Sequence, residues 1–151
     1  MSKEIRWPGD GWTSFTITLN SLGFGTSRQS TMVLNGTNRP RAKYQLRLQS
    51  GTAPTAGTIY ELFLLRGDGT NRTDAAGGSD AAFTYHNAPL LGSLSNDNGA
   101  GNAFYQDEFD TAPFGLLGTE FGGAVRNSTN QNLNAASNTL KYNLHVGQIY
   151  P

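Results

Sequence analysis

The sequence predicts an all-β fold, a jelly-roll-like antiparallel β-sandwich of about eight strands with extended terminal arms. Short runs that alternate apolar and polar residues recur between clusters of Gly, Asn and Pro, which is typical of strands joined by turns. The single helical candidate, near residues 111–117, is interrupted by Pro113 and Gly115. Long, uneven connections and the absence of cysteine favour a jelly roll over an immunoglobulin sandwich.

The first half of the chain contains the clearest strand patterns. Residues 12–19 place Phe15, Ile17 and Leu19 on one face, and residues 41–49 place Tyr44, Leu46 and Leu48 on one face. A weaker strand at 29–34 ends at the turn dipeptide Asn35-Gly36. Residues 59–65 are apolar at every position except Glu61, which indicates a central strand covered on both faces.

The second half contains further short strands, expected at residues 83–85, 90–95, 103–109, 121–127 and 140–146. The pair Gly122-Gly123 near the start of the 121–127 strand predicts a bulge or a close approach of the backbone to a neighbour. From the alternation we expect these side chains in the core: Phe15, Ile17, Tyr44, Leu46, Leu48, Ile59, Phe63, Leu65, Leu91, Phe121, Tyr142 and Leu144.

Length and composition limit the domain organisation and the function. A chain of 151 residues fits one domain, which we place at 12–151 behind an N-terminal arm at 1–11. Eleven basic residues balance eleven acidic ones, so charge gives no reason to expect nucleic acid or an anionic membrane as a partner. Apolar runs are too short for a membrane helix, and the N-terminus lacks a signal-peptide core, so we expect synthesis in a cytoplasm.

The sequence shows no pattern typical of catalysis, and we expect no enzyme activity and no cofactor. The two histidines, His86 and His145, do not stand in a nucleophile–base pattern. The acidic cluster Asp107-Glu108-Phe109-Asp110 is better explained as a solvated strand end than as a pair of catalytic carboxylates.

A long polar loop at residues 67–79 leaves two hypotheses open. In the first, which we favour, its charged residues contact a partner protein. In the second, oxygen atoms of Asp68, Asn71 and Asp74 bind Ca²⁺, although the spacing is not that of an EF-hand. We therefore expect no bound metal. A second polar loop spans residues 127–138.

Residues 58–127 resemble virion structural proteins of tailed bacteriophages, small β-sandwiches that decorate a capsid. The matching segments are YELFLLRGDGT, DAAGGSDAA, NAPLLGSL and FDTAPFGLLGTEFGGAVRN. The resemblance implies a capsid decoration (cement) protein in the virion, made in the host cytoplasm, which binds the phage head shell and stabilises it. The alternative is a carbohydrate- or receptor-binding module on such a particle.

The resemblance also implies partners, namely the major capsid protein and copies of the chain itself. A trimer is the favoured oligomer, since threefold positions recur on an icosahedral lattice and the Gly-, Asn- and Thr-rich composition suits self-association. The terminal segments 1–11 and 147–151 are expected to act as arms that reach a neighbour. The residues predicted to contact partners are Trp7, Arg66, Asp68, Arg72, Asp74 and Tyr150.

Overall fold

A computed structural model of the chain describes residues 11–97 and 99–145, and these residues form an all-β structure. Two short 3₁₀ turns, Thr73–Ala75 and Ala112–Phe114, are the helical elements of this part of the chain. The strands in chain order are β1 (Thr13–Ser14), β2 (Ser27–Gln29), β3 (Val33–Leu34), β4 (Arg41–Gln49), β5 (Thr58–Gly67), β6 (Ala81–Ala82), β7 (Leu90–Asn96), β8 (Phe104–Asp110), β9 (Glu120–Asn127) and β10 (Thr139–His145).

The strands form two antiparallel sheets with jelly-roll topology. Sheet A has the order β1-β10-β4-β8, and sheet B has the order β6-β2-β9-β5-β7 with β3 also paired to β9. If β3 and β6, two short additional strands of sheet B, are set aside, eight strands remain. The first of these pairs with the last, the second with the seventh, the third with the sixth and the fourth with the fifth. This is the pattern of one long hairpin rolled into a sandwich, so the fold prediction is confirmed.

Two of the predicted strands differ in extent from the structure. The N-terminal strand pairs in sheet A only at Thr13 and Ser14, because the chain then turns toward sheet B, where the carbonyl of Thr16 accepts a hydrogen bond from the N–H of Thr31. The predicted strand at 29–34 is divided into β2 and β3. Residues 83–85 form no strand, whereas Ala81 and Ala82 pair with β2 as β6.

The strand registers divide the connections between two ends of the sandwich. Arg41, at the start of β4, pairs with His145 at the end of β10, whereas Gln49, at the end of β4, pairs with Phe104 at the start of β8. The connections β3–β4, β5–β7 and β8–β9 therefore lie at one end. The connections β1–β2, β4–β5, β7–β8 and β9–β10 lie at the opposite end.

The main core lies between the sheets, and a smaller apolar cluster lies on the outer face of sheet B. Within the main core, the Tyr44 hydroxyl is fully buried and donates a hydrogen bond to the carbonyl of Gly122 over 2.9 Å. The second cluster forms because the β5–β7 connection folds back over Phe63 and Leu65 of β5. The predicted central strand at 59–65 is thus covered on both faces, as expected.

Most of the expected core side chains are buried. Phe15, Tyr44, Leu46, Leu48, Phe63, Leu65, Leu91 and Phe121 are buried, whereas Ile17, Ile59, Tyr142 and Leu144 are half-buried. Ile17, Tyr142 and Leu144 still pack against the main core. A Cβ atom on Gly123 would lie 2.7 Å from Cδ2 of Leu140, which confirms the close approach predicted from the glycine pair.

Candidate partner-binding surface

The residues predicted to contact partners fall into two groups. Trp7 and Tyr150, and the terminal arms to which they belong, lie outside the described residues. Arg66, Asp68, Arg72 and Asp74 lie at the end of β5 and in the connection that follows it. Each of these four side chains has hydrogen-bond partners within the chain, which accounts for their positions but does not test contact with a partner protein.

Arg72 forms an ion pair with Glu120, the first residue of β9. Nε of Arg72 lies 2.5 Å from Oε1 of Glu120 and Nη2 lies 3.1 Å from Oε2, so the contact is bidentate. The Glu120 side chain is 5% exposed and that of Arg72 is 26% exposed. A carboxylate at this depth requires a charged partner, and this pair therefore fixes the β5–β7 connection against β9.

Asp74 holds the far part of the same connection. Its carboxylate accepts hydrogen bonds from the N–H groups of His86, Asn87 and Ala88 at 2.6–3.0 Å. Burial acts to raise the pKa of Asp74, but these three donors outweigh it, and the pKa lies below its ordinary value. The carboxylate that the cation hypothesis requires is therefore committed to backbone donors.

Asp68 closes the turn at the start of the connection. Its Oδ1 accepts from the N–H groups of Asn71 and Thr70, and these bonds lower its pKa. Asp68 and Asn71 are both exposed, and a bond from Nδ2 of Asn71 to Oδ2 of Asp68 joins them. Within residues 11–97 and 99–145, no group of three or more His, Asp or Glu side chains is placed to hold a metal ion.

Arg66 positions an exposed leucine at the same end of the sandwich. Its Nη1 donates to the carbonyls of Phe114 and Leu116, at 2.6 and 3.1 Å, and so holds the β8–β9 connection. Leu116 is 73% exposed, while the adjacent Leu117 is fully buried. The buried side chain anchors the segment and the guanidinium fixes its carbonyls, which leaves Leu116 directed outward.

A second exposed leucine, Leu34, ends β3 beside this segment. Leu34 is 77% exposed and pairs in register with Glu120, the partner of Arg72. The next residue, Asn35, is buried and donates through Nδ2 to the carbonyls of Arg39 and Gly118. We call this part of the molecule the leucine end and define it by Leu34, Leu116 and a cleft of about 230 Å³ lined by Asn35, Asn38, Arg39, Pro40, Leu116, Leu117, Gly118 and Thr119.

The histidines and the acidic cluster lie outside the cleft of the leucine end. His86 is exposed in the β5–β7 connection, and Asp107, Glu108 and Asp110 are exposed on β8, the edge strand of sheet A. His145 lines a cleft of about 280 Å³ together with Arg41, Lys43 and Asp110. Asp110 pairs in register with Lys43, so one carboxylate of the cluster lies beside a cation.

The sequence did not single out Leu34 and Leu116. Leu34 stands directly before the Asn35-Gly36 turn, and Leu116 stands in a Gly-Leu-Leu-Gly segment, where two adjacent leucines cannot both face the same core. An apolar residue directly beside a tight turn is therefore the sequence feature that could have indicated these exposed leucines.

No protein-family model matches the chain, and no curated protein matches it. The described part of the chain contains no helix that is long and apolar enough to cross a membrane.

Proposed function

We propose that the chain is a structural virion protein of a tailed bacteriophage, a capsid decoration protein that binds the head shell and stabilises it. The observation that carries the proposal is the construction of the leucine end. The charged residues of the best-matched segment hold two exposed leucines in place: Arg66 through the carbonyl of Leu116, and Arg72 through Glu120 beside Leu34. The sequence resemblance of residues 58–127 to virion proteins supports the same function.

The leucine end has the properties of a protein-docking surface. Leu34 and Leu116, each more than 70% exposed, flank the contacts that join Asn35 to Gly118 and Thr119. Exposed apolar side chains held in fixed positions and bordered by polar residues such as Asn38 and Arg39 occur at protein-docking sites. Because their backbones are already fixed by internal hydrogen bonds, binding loses little conformational entropy.

The partner in this proposal is the major capsid protein, and the occupied compartment is the virion. Copies of the chain are the second partner, and a trimer is the proposed oligomer. The terminal segments 1–11 and 147–151 would serve as arms between neighbours. The protein contributes contact area rather than chemistry, so the proposal requires no cofactor and no enzyme activity.

Binding to particles tests the proposal. Recombinant protein is added to phage particles purified from a lysate of the organism that carries the gene, and the particles are sedimented. We expect saturable co-sedimentation, which falls at least tenfold for Leu34→Asp and Leu116→Asp because each places a charge in an apolar contact. Circular dichroism should show that both variants remain folded.

A matched substitution distinguishes docking from general surface effects. Phe104 is 50% exposed and lies at the opposite end of the sandwich, so Phe104→Asp should co-sediment like the unmodified chain. Absence of co-sedimentation by the unmodified chain, or equal binding by all three variants, would contradict the proposal.

A further inference from the structure

A second surface lies at the end of the sandwich opposite the leucine end, where four connections meet. They enclose an open groove of about 640 Å³. We call it the polar groove, and it is lined by Ser21, Gly51, Thr52, Ala53, Gly101, Asn102, Asn132, Leu133, Asn134 and Ala135. Among the described residues, the lining contains amides, hydroxyls, small residues and one leucine, and no ionisable side chain.

The glycines of the groove are required by close packing of the connections. A Cβ atom on Gly51 would lie 2.7 Å from the carbonyl oxygen of Asn132, and one on Gly101 would lie 3.2 Å from the backbone nitrogen of Ala53. The N–H of Asn102 also donates to the carbonyl of Gly51 over 2.9 Å. These contacts bring three connections together and give the groove a floor of backbone.

Two asparagine amides in the groove are oriented by the chain itself. The N–H of Ala136 donates to Oδ1 of Asn134, whose Nδ2 donates to Oδ1 of Asn102. The N–H of Phe24 donates to Oδ1 of Asn132. In both Asn102 and Asn132 the oxygen is thus used internally, and no described residue accepts a hydrogen bond from either Nδ2. Each amide therefore keeps two N–H donors for a ligand.

An exposed aromatic residue is joined to the groove lining through its backbone. Phe24 is 62% exposed, and its N–H donates to Asn132, a residue of the groove lining. Phe24 therefore adds an exposed apolar ring to the segment that carries one of the amide donors. Sugars present the complementary features, namely faces of C–H groups and hydroxyl oxygens that accept hydrogen bonds.

We propose that the polar groove binds a neutral saccharide, with Asn102 and Asn132 donating to its hydroxyl oxygens and Phe24 covering one face of a sugar ring. The neutral lining favours an uncharged ligand, because an acidic sugar would find no cation among the lining residues. The inference does not depend on shell binding, since it uses the opposite end of the molecule. A decoration protein attached by its leucine end would direct the groove away from the particle.

The test is isothermal titration calorimetry, in which the full chain is titrated with neutral oligosaccharides. These are tetrasaccharides of glucose, mannose, galactose and N-acetylglucosamine. We expect at least one to bind. Asn102→Asp keeps the oxygen that Asn134 uses but removes the free donors and adds a charge, so it should weaken binding at least tenfold. Phe24→Ala should weaken binding about fivefold, because stacking on a ring contributes modestly.

Asn38→Asp is the matched control. Asn38 is also exposed and also has a positive φ, 50° against 57° for Asn102, but it lies at the leucine end. It should leave saccharide binding unchanged, and Asn102→Asp should leave co-sedimentation with particles unchanged. The inference is overturned if none of the four saccharides binds, if Asn102→Asp binds like the unmodified chain, if Asn38→Asp weakens binding equally, or if a sialylated oligosaccharide binds more tightly than the neutral ones.

Discussion

Two connections at opposite ends of the sandwich are held in place by different kinds of polar group. At the leucine end, charged side chains fix the β5–β7 connection, as in the Arg72–Glu120 pair and the Asp74 carboxylate with its three N–H donors. At the opposite end, a buried amide fixes the start of the β9–β10 connection. Asn127, which is fully buried, donates to the carbonyls of Leu22 and Gln131 and accepts from Thr129.

This difference separates two ways of fixing a loop. A buried ion pair holds its segments strongly, but it fails when one partner is removed or, for a carboxylate, when it is protonated. An amide network does not titrate, and its loss is spread over several weaker bonds. The structure therefore predicts that the β5–β7 connection is sensitive to charge and to pH, whereas the Asn127 network is sensitive to loss of hydrogen bonds and not to pH.

The largest expected effect comes from breaking the ion pair. Arg72→Ala leaves the Glu120 carboxylate, with a side chain only 5% exposed, without its charged partner. We expect a loss of about 3 to 5 kcal/mol in the free energy of unfolding, measured by urea denaturation. Arg47→Ala, which removes an exposed arginine of sheet A that stacks on the exposed ring of Phe104, should cost less than about 1 kcal/mol. Equal losses in the two variants would mean that the ion pair does not hold the connection.

A smaller effect is expected at the opposite end. Asn127→Ala removes the hydrogen bonds from Nδ2 to the carbonyls of Leu22 and Gln131 and leaves the buried hydroxyl of Thr129 without the Oδ1 acceptor, and we expect a loss of about 2 to 3 kcal/mol. Asn130, three residues later, bonds to Thr55 but is exposed, so Asn130→Ala should cost less than about 1 kcal/mol. If Asn130→Ala costs as much as Asn127→Ala, burial is not what gives the network its strength.

The smallest effect is a pH dependence confined to the leucine end. The pKa of Asp74 is lowered below its ordinary value of 3.8, so its stabilisation is complete above that pH and is lost as pH falls through the folded pKa. Asp74→Asn should therefore cost about 1 to 2 kcal/mol at neutral pH, and this difference from the unmodified chain should shrink as the pH falls below 3.8 and through the folded pKa. The loss in the free energy of unfolding caused by Asn127→Ala should not change over the same range of pH. If Asp74→Asn lowered the free energy of unfolding by the same amount at every pH, the charge of the Asp74 carboxylate would not contribute to stability.

Most of the fold could be predicted from the sequence because its long strands follow simple patterns. The alternation in 41–49 gives β4 with its bounds, and the apolar run at 59–65 identifies β5 as a strand covered on both faces. The N-terminal pattern is equally regular, yet it pairs only at Thr13 and Ser14, because the bend at Thr16 is made by a hydrogen bond to Thr31. Such a tertiary contact has no local signature.

The candidate surface could be predicted only in part. Arg66 stands out as a charge at the end of a strand and Arg72 as a charge in the polar loop, but a sequence does not show that Arg72 is paired with Glu120, which is 48 residues away. The two arginines support Leu34 and Leu116, which are exposed although leucine is a residue type typical of the core. The polar groove was also missed, because its amides come from connections far apart in the chain and are brought together only by the jelly-roll topology.

Hydrogen–deuterium exchange of the full chain, free and bound to purified phage particles, tests most directly whether the leucine end is the docking surface. The account predicts slower exchange on binding in peptides that contain residues 34–40 and 112–119. Peptides from residues 128–138, at the opposite end, should exchange at the same rate in both states. Protection of 128–138 without protection of 34–40 and 112–119 would contradict the assignment.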